Sequence, residues 1–413
     1  MGISKALIPL GGLGTRLYPL TVETSKAMVR FLNRHLIDYI IMKLAQNNIR
    51  EIYLGVSGYF NYRDLYDHLG SVFTINFPSG KELKVRVRYQ PNIDSIGNAH
   101  SVKILMEYYD IKEPVIVVQG DTVFDLGIDL MYKFHRENEG FMTIALKPLE
   151  DPRELRHFGV AKLGEDGKII EGFVEKPETP DKAPSNLVNT GIYLLSEEFR
   201  EYLESPVIEE KIKKKEMDFG KNIIPDVISC GKRVLGYMAE GYWFDIGTPE
   251  RYLEATFTLL RVLSNDELGV TTEYKNVRMQ GKTRLSKKLH ADIIKREREG
   301  KLKLIGDILL GRHISIGDNV ELNTVVIDNY TIIGSGTRIV NSVVMDRNVI
   351  GENVVIENSI IGRHVKIGRN AMIINSYVGN NVVIGEGAVL ERVKVWPHKT
   401  IEAHAYLGNV AIK

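Results

Sequence analysis

From residue 305 onward this 413-residue chain repeats itself. Steps of five, six and six residues land on Ile305, Leu310, Ile316, Leu322, Ile327, Ile333, Ile339, Val344, Ile350 and Ile356. The same steps continue through Ile361, Ile367, Ile373, Val378, Ile384, Leu390, Val395, Ile401, Leu407 and Ile412, and every position is Ile, Leu or Val. Neither the helical period of about 3.6 nor the strand period of about 2 generates such a 17-residue cycle, so the segment must wind into stacked, near-identical coils.

The unit is a hexapeptide, and three of them with one side shortened by a residue make a three-sided coil. This resembles a left-handed parallel β-helix of about six coils. Glycine follows many of the periodic residues, as in Ile316-Gly317, Ile333-Gly334, Ile350-Gly351, Ile367-Gly368 and Ile384-Gly385. The expectation is that a tight corner needs glycine's permissive backbone there. Solenoids of this type also build acyltransferases, which makes His313, His364, His398 and His404 candidates for catalysis. A structural role at coil corners is the favoured reading, because nothing in the sequence orients any of the four with a partner. The last coils, with Leu407 and Ile412, are expected to leave an open stack end that homo-oligomerisation would cover.

Composition narrows the rest. The chain is 44% hydrophobic and 26% charged, as in soluble globular proteins. Lys and Arg number 54 against 53 Asp and Glu, so no global field draws it to nucleic acid or an anionic membrane, and phosphate affinity must be local. Cys230 is the only cysteine, which removes intrachain disulfides and Cys-based metal sites and makes cytoplasm the expected location. The apolar run at the N-terminus meets glycines too early for a signal peptide or a membrane span, and Ala6 stands where a myristoylation signal wants Ser or Thr.

Residues 1–262 alternate strand-like runs (4–10, 51–57, 85–89, 114–119) with helical ones (36–48, 98–109, 129–139). This predicts an α/β sheet with its ligand site off the carboxyl ends of the strands. The first strand runs into Gly11-Gly12-Leu13-Gly14-Thr15-Arg16-Leu17-Tyr18-Pro19-Leu20-Thr21, with Lys26 beyond. Leu17 occupies the third glycine position of a dinucleotide fingerprint, and the Lys-Ser/Thr end of a P-loop is missing. What remains is a glycine turn whose N–H groups can approach an anion, with Arg16 and Lys26 as two positive charges: a triphosphate cradle.

This segment resembles the signature of the sugar-1-phosphate nucleotidylyltransferases. Further motifs follow in that family's order: Gly120-Asp121, Phe158-Gly159-Val160, Glu175-Lys176-Pro177, Asn189-Thr190-Gly191-Ile192-Tyr193 and Trp243-Phe244-Asp245-Ile246-Gly247-Thr248. Each alone reads as a turn or a solvated strand end; their order over residues 3–262 carries the likeness. The resemblance implies a Rossmann-like mixed-sheet catalytic domain (1–262), a partly helical connector (263–300) and the β-helix (301–413). It implies transfer of a nucleotidyl group from a nucleoside triphosphate to a sugar 1-phosphate, with Mg²⁺ held by Asp121 and Asp245. Arg16 and Lys26 would act on the phosphates, and Leu10, Gly11, Gly12, Gly14, Thr15, Gln90 and Gly97 would bind the nucleotide. Lys176 would bind the sugar phosphate, Glu175 and Asn189 the sugar hydroxyls, and Gly159 would let the sugar approach.

The departures are local. Pro9-Leu10 stands in place of Leu-Ala, Ser25 and His35 replace prolines, and the base-reading loop is Pro91-Asn92-Ile93-Asp94-Ser95-Ile96-Gly97-Asn98-Ala99 rather than Pro-Leu-Gly-Thr-Ala. That loop leaves the base undetermined. Val395-Trp396-Pro397-His398-Lys399-Thr400-Ile401 resembles the end of the mannose-1-phosphate guanylyltransferase subfamily and makes that activity the first choice over adenylyl, thymidylyl or uridylyl transfer to glucose 1-phosphate. Acyl transfer on the β-helix and a non-catalytic regulatory subunit are the alternatives from other classes. The mixed-charge run 209–216 and the cations of the helical stretch 285–299 read as solvated faces without a ligand.

Overall fold

The computed structural model describes residues 2–12, 14–56 and 58–413, without the side chains of Tyr59 and Phe60. Leu13 of the glycine motif and Ser57, at the end of an expected strand, lie outside the described residues. The chain divides into two compact units. One comprises the chain up to Gly12 with Ile37–Ile75 and Leu83–Asp245; the other holds the stretch ending at Leu36, Asn76–Glu82 and Ile246–Lys413.

The first unit is built on a mixed sheet. Its strand order is Ile170–Glu175, Gly159–Leu163, Leu187–Leu195, Val115–Val118, Lys5–Pro9, Glu51–Gly55, Glu82–Tyr89 and Val72–Asn76, with Met142–Pro148 also pairing Leu187–Leu195. Lys5–Pro9 runs parallel to both Glu51–Gly55 and Val115–Val118, whereas Leu187–Leu195 is antiparallel to Val115–Val118. Val115–Val118 is buried along its whole length, which is why it is uniformly β-branched instead of alternating. The helices Leu36–Gln46, Asn98–Tyr108 and Ile128–Glu137 fall where the apolar spacing placed them. The expected α/β, Rossmann-like class is the observed one.

In the second unit the repeat folds as three faces of short parallel strands. One face stacks Ser315–Ile316, Ile332–Ile333, Val349–Ile350, Lys366–Ile367, Val383–Ile384 and Thr400–Ile401, each in register with the strand one coil on. Every periodic position from Leu310 to Ile401 is buried. Leu407 and Ile412 are only partly buried. Ile305, in contrast, is 38% exposed: the register shifts between Ile305 and Ile308, and Leu304 takes the inward place opposite Leu322.

The glycines do a different job from the expected one. Gly317, Gly334, Gly351, Gly368 and Gly385 do not have positive φ. A Cβ on any of them would lie 2.4–2.7 Å from backbone of the next coil, so close stacking is what excludes a side chain. The left-handed backbone sits elsewhere, once per side and per coil: at His313, Tyr330, Arg347, His364, Asn381 and His398, with parallel series ending at His404 and Asn409. All four candidate histidines thus occupy left-handed corners, a conformation in which Asn, Asp and His are enriched. Inside one corner a buried serine ladder replaces apolar packing, Ser342, Ser359 and Ser376 each accepting through Oγ, at 3.0 Å, an N–H from the next coil.

Candidate active site

In the first unit, strand pairing brings the Gly120-Asp121 turn and the Trp243–Asp245 strand to one short ladder. Gly120-Asp121 turns the chain from Val115–Val118 into Thr122–Phe124, which pairs antiparallel with Trp243–Asp245. The register sets Asp245 opposite Thr122, next in sequence to Asp121, so residues 124 positions apart in the chain become neighbours across a hairpin-like ladder. Both are half-buried. A Cβ on Gly120 would sit 2.0 Å from Leu10 Cδ2, so a larger residue at this turn would require the Leu10 side chain to move. Among the described residues no cluster of three or more His, Cys, Asp or Glu side chains could hold a metal. Carboxylates are hard oxygen ligands of the kind that suits a divalent ion such as Mg²⁺.

A second group gathers around Tyr193. Asn189 Nδ2 donates to the Tyr193 hydroxyl at 2.9 Å, while its Oδ1 accepts from Gly191 N at 2.9 Å. Tyr193 is buried, and burial raises its phenol above the ordinary value. Glu175 Oε1 lies 3.1 Å from Lys176 Nζ, and burial raises the Glu175 carboxyl against the opposing pull of Lys176. The Glu175 carboxylate is wedged between two glycines: a Cβ on Gly159 would come within 2.6 Å of Oε2, and one on Gly220 within 2.3 Å. Lys176 itself has φ 51, an unusual conformation for a non-glycine residue, and its N–H is held by Phe158 O at 2.9 Å. Glu175, Lys176, Gly159 and Asn189 therefore converge on one region of the sheet. Tyr193, Gln119 and Gly220 belong with them but were not assigned roles from sequence; the Tyr193 end of the Asn189 motif was the available signal.

The base-loop residues are differently placed. Gln90 is buried, with Nε2 donating to Ile93 O at 2.6 Å and Oε1 accepting from Ser101 Oγ at 2.6 Å. A Cβ on Gly97 would strike Met217 O at 2.2 Å, so that glycine is demanded by packing at the start of Asn98–Tyr108. Leu10 donates its N–H to Gly55 O at 2.7 Å, and Gly11 and Gly12 are exposed beyond it.

In the second unit, Gly14 is left-handed (φ 60, ψ 27) and opens a short 3-10 turn over Thr15–Leu17. Thr21 Oγ1 closes the loop by donating to Gly14 O at 2.7 Å. Thr15 and Arg16 are exposed; Lys26, in the turn Lys26–Met28, is half-buried. Ser25, which stands in place of a proline, has a buried hydroxyl with no hydrogen-bond partner among the described residues.

Residues 5–262 match the family described as Nucleotidyl transferase, which is more than half the chain. This chain belongs to that family. The resemblance to sugar-1-phosphate nucleotidylyltransferases is thereby borne out. Residues 304–410 match a second family, described as GMPPB C-terminal domain. A glucose-1-phosphate adenylyltransferase of Desulforamulus reducens is 31% identical over 277 residues, or 65% of this chain and 66% of the relative. The chain thus spans just under two thirds of the length of that curated relative. A solved structure assigned to glucose-1-phosphate thymidylyltransferase, from Bacillus anthracis in complex with a sucrose, superposes with a TM-score of 0.51 at 24% identity. It covers 63% of this chain and 96% of that one, and shows the shared fold. Among the described residues no helix is long and apolar enough to cross a membrane.

Proposed function

We propose that this nucleotidyltransferase-family chain makes a nucleotide sugar from a nucleoside triphosphate and a sugar 1-phosphate. An oxygen of the sugar phosphate attacks the α-phosphorus, the new P–O bond forms as the α–β bridge breaks, and pyrophosphate leaves. A phosphate monoester is already largely deprotonated at pH 7, its second pKa lying near about 6, so no general base is needed. The protein's task is positioning and charge neutralisation. The observation that carries this reading is the ladder that sets Asp245 opposite Thr122, the residue after Asp121. Asp121 and Asp245 would hold Mg²⁺, which supplies charge compensation for the phosphoryl oxygens.

In this reading Arg16 and Lys26 contact the polyphosphate, with Gly11, Gly12, Gly14 and Thr15 offering N–H groups. Leu10, Gln90 and Gly97 shape the nucleotide's surroundings; since the Gln90 amide is engaged within the chain, backbone groups of the loop are the better base readers. Lys176 binds the sugar phosphate, Glu175 and Asn189 orient sugar hydroxyls, and Gly159 admits the ring. The functional divisions remain 1–262 for catalysis, 263–300 as connector and 301–413 as β-helix, in a cytoplasmic homo-oligomer.

Guanylyl transfer to mannose 1-phosphate is the preferred substrate pair, supported by the match of 304–410 and by the 395–401 segment. The D. reducens relative supports adenylyl transfer to glucose 1-phosphate as the second reading. A pyrophosphate-release screen of each nucleoside triphosphate against several sugar 1-phosphates decides. Fastest release with GTP and mannose 1-phosphate is expected. Release with ATP and glucose 1-phosphate would move the assignment to the second reading, and no release from any pair would refute the function. Acetyl-CoA consumption by the same preparation would instead favour the acyltransferase alternative.

A further inference from the structure

The loop that carries Arg16 and Lys26 is held by the solenoid of its own unit. Tyr18, two residues after Arg16, meets Trp396 edge to face, with ring centroids 5.8 Å apart and planes at 76°. Glu23, three residues before Lys26, shares a hydrogen bond between its Oε1 and His398 Nε2. Past Lys26, Arg30 forks onto Asp328, Nε to Oδ2 at 2.7 Å and Nη2 to Oδ1 at 2.9 Å, and Asn33 Nδ2 donates to Ile327 O at 3.2 Å. The contacts come from two separate places on the solenoid, around residue 328 and around residue 397, so the loop is gripped on both sides of Lys26.

Trp396 and His398 do not build the coil that bears them. The inward residue is Val395, fully buried, whereas Trp396 is half-buried and His398 exposed. The corner's backbone is hydrogen-bonded independently of their side chains: His398 has φ 60 and its N–H donates to Asn380 O at 3.0 Å. A solvent-exposed polar contact of this kind adds little to stability, so the Glu23–His398 hydrogen bond is poorly explained as a fold-stabilising device. What it does constrain is the short stretch between two cations.

We propose that Trp396 and His398 are positioning residues, which act through Tyr18 and Glu23 to hold Arg16 and Lys26 where a nucleoside triphosphate binds. The inference rests on the phosphate role assigned to those cations under Proposed function. It makes the last coils part of the nucleotide site's support, where a scaffold role alone predicts effects on stability only.

The test uses the full-length protein and the variants Trp396→Ala, His398→Ala and His398→Gln, the last keeping a side-chain donor for Glu23. Hydrogen exchange of residues 14–28 is measured alongside the KM values for nucleotide and for sugar 1-phosphate and the melting temperature. Both alanine variants should exchange faster in that stretch. Their nucleotide KM should rise roughly tenfold, in line with the sensitivity of bound geometry to small displacements, while the sugar 1-phosphate KM and the melting temperature barely move. His398→Gln should restore the nucleotide KM. Unchanged exchange over 14–28, or equal changes in both KM values together with a lower melting temperature, would overturn the proposal. Should the wild-type protein release pyrophosphate from no substrate pair, the functional reading falls on its own, and exchange at 14–28 alone decides the positioning claim.

Discussion

The mixed sheet and the solenoid are organised by opposite rules. In the sheet unit, strands of both directions bring together residues that share no local pattern, such as Thr122 with Asp245 and Gly159 with Glu175. In the solenoid every coil repeats the one before, with the same inward aliphatic positions and the same left-handed corners. Information is therefore carried differently. Chemistry in the sheet unit is announced by motifs, whereas in the solenoid it is announced by particular side chains at repeated positions: the buried Asp328 that takes Arg30, and the outward Trp396 and His398.

The sharpest way to break this contrast is to remove an acid from each part. Asp121→Asn should leave the fold intact and cut turnover by at least about a hundredfold, as expected when the several kcal/mol of charge stabilisation from a metal is lost. Pyrophosphate release measures it, and normal activity would remove the metal role. Asp328→Ala acts on stability. Its carboxylate is 2% exposed and faces Arg30, 14% exposed, so breaking the pair should cost about 3–5 kcal/mol in denaturant unfolding by leaving a poorly compensated buried cation.

Acidification should separate the two regions as well. The solenoid carries His313, His364, His398 and His404 on exposed corners, but the sheet unit buries His135, whose Nδ1 lies 2.7 Å from Thr143 Oγ1. Burial lowers the His135 pKa from 6.5 to about 4. The folded state thus resists a proton that the unfolded state accepts: the contribution of the neutral ring is complete above about 6.5 and is lost as pH falls toward about 4. Melting curves between these limits should show a steeper acid loss for wild type than for His135→Gln.

Smaller effects refine the site. Lys176→Ala removes one charge-assisted contact and should lower kcat/KM for sugar 1-phosphate by about 1.5–3 kcal/mol in transition-state terms, with nucleotide KM little changed. An unchanged specificity constant would reject the assignment. Ser25→Pro is the mildest. Ser25 already has φ −63, close to the proline value, and its hydroxyl is buried without a partner among the described residues, so the change should raise stability by about 0.4–1 kcal/mol.

How much could be read from residues alone follows from the same contrast. The solenoid was legible because one period dictates which side chains point inward, and it failed only at Ile305, where a register shift turns the first position outward. The reason for the glycines was misjudged because backbone-to-backbone distance between coils leaves no local trace. Four strands and three helices of the sheet unit were legible from alternation, to within a few residues at their ends, whereas Val72–Asn76, Met142–Pro148, Gly159–Leu163, Ile170–Glu175, Leu187–Leu195 and Val234–Met238 were not read as strands. Tyr193 and Gly220 were not singled out, since their place beside Asn189 and Glu175 depends on strands crossing. The Glu23–His398 and Arg30–Asp328 contacts span 375 and 298 residues and are invisible to any local pattern.

The most direct test of the central claim is a crystal structure with nucleoside triphosphate and Mg²⁺ bound. The account predicts the polyphosphate against the Gly11–Gly14 turn with Arg16 and Lys26 on its oxygens, and the ion between Asp121 and Asp245. A triphosphate bound elsewhere, or an ion that ignores both carboxylates, would contradict it.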